Sequence, residues 1–339
     1  MSKKKLILVI EPAFKGDLNN ILALAAGVAK KTPNSQIVVL KNLSSFKRKG
    51  LGLAFKFGLK ISFLCRYVNA GLDNNDQCPV IVISTLGGSE LYSALLAKKF
   101  NIPNIHLGKI KRLPQTLFSM SIAHQGVKPT DQQVEMPTPF TRFFKDDLQK
   151  AAGNLEKPVG ASYALLLLGG DAPKIHYRSS DWDKIFLFLE KFSHHTDIKW
   201  LISTSPRTPD AAIEKVKQLS RKSDAVQEIS IYKGGEGDIS KLPVYIANSD
   251  YAFITGESIS MISDALALGL STVALAVKGL EENETINTFL EAQKAQQNFK
   301  KAFIDDLSQD ISLPVTDTEK ECWTEGFWKL LKAERINLD

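Results

Sequence analysis

The stretch Asn248-Ser-Asp-Tyr-Ala-Phe-Ile-Thr-Gly-Glu-Ser-Ile-Ser-Met-Ile-Ser-Asp-Ala265 decides the fold. Tyr251–Thr255 is a short apolar run of the kind buried on both faces of a sheet. Gly256 turns the chain, and Ser258 caps a helix predicted to reach Leu268. A buried strand, a tight turn and a helix in succession form the repeating unit of a doubly wound parallel sheet. The helix start presents free N–H groups and the positive end of the dipole. Ser258, Ser260 and Met261 lie in its first turn, where hydroxyls and N–H groups suit phosphate oxygens. Glu257 is the odd member, because a carboxylate repels phosphate. It either binds a ribose or sugar hydroxyl or favours the helix start.

The same unit recurs in both directions. Strands are predicted at Leu6–Ile10, Ile37–Leu40, Val80–Ser84, Asn104–Leu107 and Leu117–Ile122, with helices at Asn19–Lys31 and Ser89–Phe100. A helix at Thr141–Ala152 forms the linker region. The pattern restarts with strands at Tyr163–Leu168, Trp200–Thr204, Glu228–Tyr232, Tyr251–Thr255 and Thr272–Val277. Helices there fall near Asp181–Phe192, Pro209–Arg221, Ser258–Leu268 and Glu284–Asn298. The expected fold is therefore α/β, with two doubly wound Rossmann-like domains over residues 1–150 and 151–317, facing a cleft. Residues 318–339 carry Trp323, Phe327, Trp328 and Leu331 at helical spacing, a helix expected over a domain or the cleft.

Ligands of such sheets bind outside the carboxyl ends of the strands, so the loops there hold the candidates. After the first strand, Gly16 permits a turn and Asp17 or Asn19 can cap the helix. Asp17 or Glu11 is the candidate general base, and no G-x-G-x-x-G fingerprint is present. Gly87-Gly-Ser89 lets backbone approach an anion or a sugar hydroxyl. Leu168-Gly-Gly-Asp-Ala-Pro-Lys174, followed by His176 and Arg178, sets basic groups beside Gly169 and Gly170, a combination suited to a diphosphate. In Ser203-Thr-Ser-Pro-Arg-Thr-Pro209 the hydroxyls and Arg207 read as a phosphate contact, with Arg207 offering a planar fork and Pro206 and Pro209 fixing the turn. His194-His195 reads as a helix C-terminal cap, and His106, at a strand end, as a structural histidine.

The 339 residues are 44% hydrophobic and 24% charged, ordinary for a globular chain. No run approaches the roughly 18 apolar residues of a spanning helix, and the basic-apolar N-terminus stops at Glu11-Pro12 without a cleavage site. Cys65, Cys78 and Cys322 make neither a disulfide framework nor a zinc site, which fits a cytoplasmic location. The net charge of +6 is unevenly spread: residues 1–150 carry +13 and the remainder −7. Lys41–Arg66 holds seven basic residues and no acidic one, interleaved with Phe46, Leu51, Leu53, Phe55, Phe57 and Leu59. It reads either as a core-packing helix with a solvated basic face or as contact with an anionic membrane surface. No nucleic-acid motif is present.

The Asn248–Ala265 stretch resembles the "ADAIVVTADSVSMVSEA" signature of the Elm-type family, which bears a mitochondrial-fission label from its plant members. Leu167-Leu-Gly-Gly170 is similar to its Ile-Gly-Gly turn, Thr204-Ser-Pro-Arg-Thr-Pro209 to its T-S-R-R-T-P, and Gly16 and Asn20 fall on its G-H-x-x-Q loop. Gly234-Gly-Glu-Gly-Asp238 resembles its G-x-G-x-N-P loop without the N-P-Y. Asp17 stands where the family often has His, and Glu257 where it usually has Asp. Bacterial members look like GT-B glycosyltransferases. The resemblance thus implies a GT-B-like fold and transfer from a nucleotide sugar to a cell-envelope glycan or lipid-linked acceptor such as a lipopolysaccharide core. It further implies nucleotide binding in the second domain through Gly169, Gly170, Lys174, Arg207, Glu257, Ser258, Ser260 and Met261. The acceptor side would be Gly16, Asn20, Gly87, Gly88 and Ser89. No metal or cofactor is implied, since basic groups and helix N-termini stabilise the leaving diphosphate. The alternatives are a non-catalytic GT-B-like scaffold and a nucleotide-sugar epimerase using residues such as Glu11, Asp17, His106 and His176.

Overall fold

The computed structural model describes residues 3–12, 15–72, 76–123, 128–136, 140–153, 155, 160, 162–232, 241–316, 323–336 and 338. Two compact units emerge, the first built from Met1–His124, Lys128–Arg142 and Glu321–Asp339, the second centred on Phe143–Lys320. The first holds β1 (Lys4–Ile10), α1 (Lys15–Lys31), β2 (Ser35–Leu40), α2 (Ser45–Lys56), α3 (Ile61–Leu64), β3 (Gln77–Thr85), α4 (Glu90–Phe100), β4 (Asn104–Leu107) and β5 (Met120–Ile122). The second holds α5 (Lys145–Ala152), β6 (Tyr163–Leu168), α6 (Ser179–Thr196), β7 (Lys199–Thr204), α7 (Asp210–Lys222), β8 (Val226–Ser230), α8 (Leu242–Asn248), β9 (Tyr251–Thr255), α9 (Ile259–Ala267), β10 (Ser271–Ala276), α10 (Glu284–Gln293) and β11 (Phe299–Phe303). The last helix, α11 (Trp323–Ala333), returns to the first unit.

Both sheets are parallel. The first runs β2-β1-β3-β4-β5 and the second β11-β10-β9-β6-β7-β8. Strands covered on both faces must be apolar throughout, and every residue of β6 is buried. Phe188 and Phe192 of α6 pack with Trp200 and Phe253 on one side of that sheet, and the Trp200 indole donates to Leu189 O at 3.1 Å. The strand order reverses at β6, which lies between β7 and β9. That switch point brings the loops after β6 and β9 together at the carboxyl edge. In the first unit β1, between β2 and β3, occupies the equivalent place.

Several elements differ from the sequence expectation. The helix read as Glu284–Asn298 stops at Gln293, and Phe299–Phe303 forms edge strand β11 instead. Parallel pairing from Thr272↔Phe299 to Ala276↔Phe303 overrides a locally helical composition. The fifth strand starts at Met120, because Gln115–Leu117 closes as a 3-10 turn. The helix expected from Thr141 begins at Lys145, with Phe140, Phe143 and Phe144 buried ahead of it. It packs on α8, a short helix the apolar periodicity did not reveal. Helix α11 packs on α1: Trp323 and Phe327 are buried, Trp328 Nε1 donates to Gly27 O at 3.2 Å, and Lys31 pairs with Glu325 at 2.8 Å. No described helix is long and apolar enough to cross a membrane.

Candidate functional site

At the carboxyl edge of the second sheet, three loops converge on one buried carboxylate. Glu257 follows β9, and its side chain is fully buried. Oε1 accepts from Gly170 N at 2.9 Å and from Thr255 Oγ1 at 3.2 Å, and lies 3.3 Å from Arg207 Nη2. Oε2 accepts from the Tyr177 hydroxyl at 2.6 Å. Burial first, and the Glu257 charge second, push the Tyr177 phenol well above its ordinary pKa, so it stays a donor. Thr255 Oγ1 in turn accepts from Gly169 N at 2.7 Å. A buried carboxylate is tolerated only when donors replace its water, and four donors do so here.

This arrangement explains the glycine pair. A Cβ on Gly169 would stand 1.6 Å from Glu257 Oε1, and one on Gly170 1.8 Å from the Arg207 carbonyl oxygen. The close approach for which the Gly-Gly turn is needed is therefore to the protein's own carboxylate and backbone. Glu257 acts inward, tying the loops after β6, β7 and β9 together.

Arg207 sits on a loop held by hydroxyls in addition to its flanking prolines. Thr208 Oγ1 donates to Leu168 O at 2.7 Å and accepts from Ser205 N at 2.8 Å, and Ser205 Oγ accepts from Arg207 N at 3.2 Å. The Arg207 side chain is 42% exposed, so one end of the guanidinium meets Glu257 while the rest faces solvent. Beside it α9 begins. Ser258 occupies the N-cap position but makes no side-chain cap hydrogen bond, contrary to the cap expected of it. Ser258 is buried, Met261 half-buried and Ser260 exposed. The first N–H groups of a helix have no intrahelical acceptor, so the α9 start is suited to an anion.

The basic loop is more self-contained than expected. Pro173 and Lys174 are the central residues of a turn closed between Ala172 and Ile175 by bonds of 3.0 and 2.8 Å. Lys174 adopts φ 66° and its exposed Nζ donates to Glu282 O at 3.3 Å. His176 Nδ1 pairs with Asp171 Oδ2 at 3.0 Å, and that bond, with a second from Tyr177 N, holds the Asp171 carboxyl below its usual range. Arg178 is exposed at the start of α6. At the other end of α6, Asp197 in the left-handed conformation provides the cap, with its N–H on Ser193 O, while His195 pairs with Asp310.

In the first unit, Glu11 is exposed directly after β1. Helix α1 begins at Lys15, so Asp17 and Asn19 lie within it rather than capping it; Asp17 and Asn20 are half-buried. Gly16 is part of the same helix. Gly87 and Gly88 turn with φ 89° and 78°, a conformation side chains rarely adopt, and Ser89 buries its hydroxyl on Thr85 O. His106 is fully buried in β4, its Nδ1 3.0 Å from Ser84 Oγ, and burial lowers its pKa to about 4. The candidate residues thus group by unit: Glu11, Gly16, Asp17, Asn20 and Gly87–Ser89 on the first, Gly169–Lys174, Arg207 and Glu257–Met261 on the second. Gly234–Asp238 lies outside the described residues. Tyr177 and Thr255 were not singled out from sequence, and the Ser205 and Thr208 hydroxyls, read there as phosphate contacts, are bonded within the protein instead; together these side chains hold the second group in place. Among the described residues no three His, Cys, Asp or Glu side chains gather as metal ligands would.

A family model described as Mitochondrial fission ELM1 matches residues 16–322. No curated protein matches the chain. Among solved structures, the chain is similar to UDP-GlcNAc 2-epimerase from Methanocaldococcus jannaschii, with 11% identity and a TM-score of 0.53 over 97% of this chain and 99% of that one. It is also similar to a family 9 glycosyl transferase from Veillonella parvula, with 13% identity and a TM-score of 0.47 over 99% and 93% of the two chains. ADP-heptose LPS heptosyltransferase II from E. coli gives 13% and 0.47 over 97% and 99%. At such identity the first of these speaks for the fold alone, two doubly wound α/β units of the GT-B type.

Proposed function

The chain belongs to the mitochondrial fission ELM1 family, and from that premise we propose that it is a glycosyltransferase using a nucleotide sugar. The acceptor in this reading is a cell-envelope glycan or a lipid-linked one such as a lipopolysaccharide core. The observation that carries it is the half-exposed Arg207 guanidinium, fixed by buried Glu257 beside the start of α9 at the sheet's switch point. A diphosphate there meets the open end of the fork, the α9 N–H groups and the hydroxyls of Ser258 and Ser260, with Met261 in the same turn and Lys174 as a nearby charge. Gly169 and Gly170 serve through the loop they shape. The transfer forms a bond between an acceptor hydroxyl oxygen and the anomeric carbon and breaks that carbon's bond to the diphosphate. The leaving diphosphate's charge is stabilised by these groups, without metal or cofactor. Asp17 or Glu11 takes the hydroxyl proton, and Gly16, Asn20 and Gly87–Ser89 receive the acceptor. The protein works in the cytoplasm, at the inner face of the membrane.

One observation favours a GT-B-like binding or scaffold protein without turnover. The Glu257 carboxylate already occupies Gly170 N–H and one edge of Arg207, so part of the anion site is filled from within. Thermal unfolding with UDP, GDP, ADP, CMP and TDP, each with and without magnesium, separates the two readings. Binding at a hundredfold excess over Kd stabilises by about 2.7 kcal/mol. The transferase reading expects one nucleotide to raise the Tm, equally with and without magnesium, and expects the rise to vanish in Arg207→Ala or Ser260→Ala. If none of the nucleotides shifts the Tm, the scaffold reading replaces it.

A further inference from the structure

We propose that the outer face of α2, continued through α3 and the turn Cys65–Tyr67, is a docking surface for anionic phospholipid headgroups. It would supply the acceptor side of the reading above and rests on that reading only for the acceptor's identity. Helix α2 has twelve residues and none is buried. Its inner face packs the half-buried Leu51, Ala54 and Phe55 on the core of the first unit. Phe46, Gly50, Leu53 and Phe57 follow at spacings of four, three and four, which aligns them on the opposite side. Phe46 is 91% and Phe57 77% exposed. Six of the ten large hydrophobic side chains exposed among the described residues fall between Phe46 and Tyr67, so they form a patch rather than a scatter. Leu59, Phe63 and Tyr67 extend it, with the Phe63 and Tyr67 rings 5.6 Å apart.

Charge decides the occupant. Lys47, Lys49, Lys56, Lys60 and Arg66 are exposed around these rings, and no acidic residue occurs from Lys41 to Arg66. A second copy of the chain would set like charges against like across such a face. An acidic protein surface or a nucleic-acid duplex would satisfy the lysines and leave the phenylalanines in water, and single-stranded bases would stack on the rings but leave Leu53 and Leu59 uncovered. A phospholipid surface satisfies both, taking rings and Leu53 at the acyl boundary and ammonium groups at the phosphates. Arg48 alone turns inward, where its Nη1 donates to Gly87 O at 3.2 Å. The lipid-facing helix is thereby tied to the glycine turn assigned to the acceptor.

The test is flotation of the full chain with phosphatidylcholine vesicles and with vesicles of two parts phosphatidylcholine to one part phosphatidylglycerol, at low and high salt. The expected result is binding to the anionic vesicles at low salt, weakened by high salt and by omitting phosphatidylglycerol. Each lysine contributes about a fivefold factor near an anionic leaflet, so Lys49→Gln with Lys56→Gln lowers partitioning about thirtyfold. Phe46→Ser with Phe57→Ser lowers it about tenfold or more, with the Tm unchanged because both side chains are exposed. Wild-type protein that stays in solution with anionic vesicles overturns the proposal, as does binding indifferent to both double variants. A concentration-dependent dimer broken by Phe46→Ser, without flotation, gives the face to a second copy; nucleic-acid binding without flotation overturns it equally. Nucleotide-induced Tm shifts on the same samples keep this outcome separate from the transferase reading: flotation without any nucleotide shift fails only that reading, and the converse fails only the docking surface.

Discussion

Removing the Glu257 carboxylate tests whether the second unit's site is organised from within. Glu257→Ala leaves Gly170 N–H, Thr255 Oγ1, Tyr177 OH and Arg207 without their common acceptor, in a place from which water is excluded. Breaking a buried, hydrogen-bonded charge in this way costs about 3–5 kcal/mol. For a unit of this size each kcal/mol lowers the Tm by about 2–4 °C, so the fall should be about 6–20 °C. Arg207→Ala removes the other half of the same ion pair with a different result. Its side chain is 42% exposed, and partly solvated pairs contribute no more than about 1 kcal/mol. The pair is therefore predicted to be asymmetric: a large loss of stability from the Glu257 side and less than about 4 °C from the Arg207 side. Glu257→Gln, which keeps an acceptor facing Gly170, should fall between them. Thermal unfolding of the three variants measures this, with nucleotide binding recorded alongside. Equal, small losses for Glu257→Ala and Arg207→Ala would refute the inward role and return Glu257 to the ligand side.

Two further outcomes follow from buried groups in the first unit. The His106 pKa is lowered by burial to about 4, below its unfolded value, so the unfolded chain binds the extra proton first as pH falls. Stability from this residue is complete above about pH 6.5 and lost as the pH drops toward about 4; the loss at about pH 5 is about 2 kcal/mol. Urea unfolding across that range should show the slope in wild type and a shallower one in His106→Gln, and matching slopes would refute the assignment. Gly27 lies under α11, where an added Cβ would stand 2.6 Å from Trp323 Cη2. Gly27→Ala should cost about 1–3 kcal/mol by overpacking and expose α11 to limited proteolysis, and a protease-resistant variant with unchanged Tm would contradict that packing.

Most of the architecture was legible because parallel strands covered on both faces leave a local signature. Leu165, Leu166 and Leu167 read as buried strand wherever they are met, and the helix after Thr255 announces itself by spacing alone. Elements that depend on a distant partner were not legible. Phe299-Lys-Lys-Ala-Phe303 becomes a strand only because β10 offers it an edge. Helix α11 itself was legible from the spacing of Trp323, Phe327, Trp328 and Leu331, but not its place on the first unit, which Trp323 and Trp328 set by meeting α1 some three hundred residues earlier in the chain.

The same division runs through the candidate site, and there it changes the chemistry. The glycines at 169 and 170 read from sequence as a turn suited to a diphosphate; the structure shows that they make room for Glu257 and the Arg207 backbone. A nearby anion-binding helix start suggested phosphate; the structure puts Glu257 there, 87 positions on from Gly170. The available clue was the carboxylate itself, an acid in a stretch otherwise suited to phosphate. An acid so placed either repels the ligand or is withdrawn from it, and full burial under four donors withdraws it. Once withdrawn, its charge no longer competes for the α9 N–H groups, while it still aims one edge of Arg207. The guanidinium then carries its positive charge outward from a fixed position, which is what a phosphate site needs of an arginine and what flanking prolines alone would not secure.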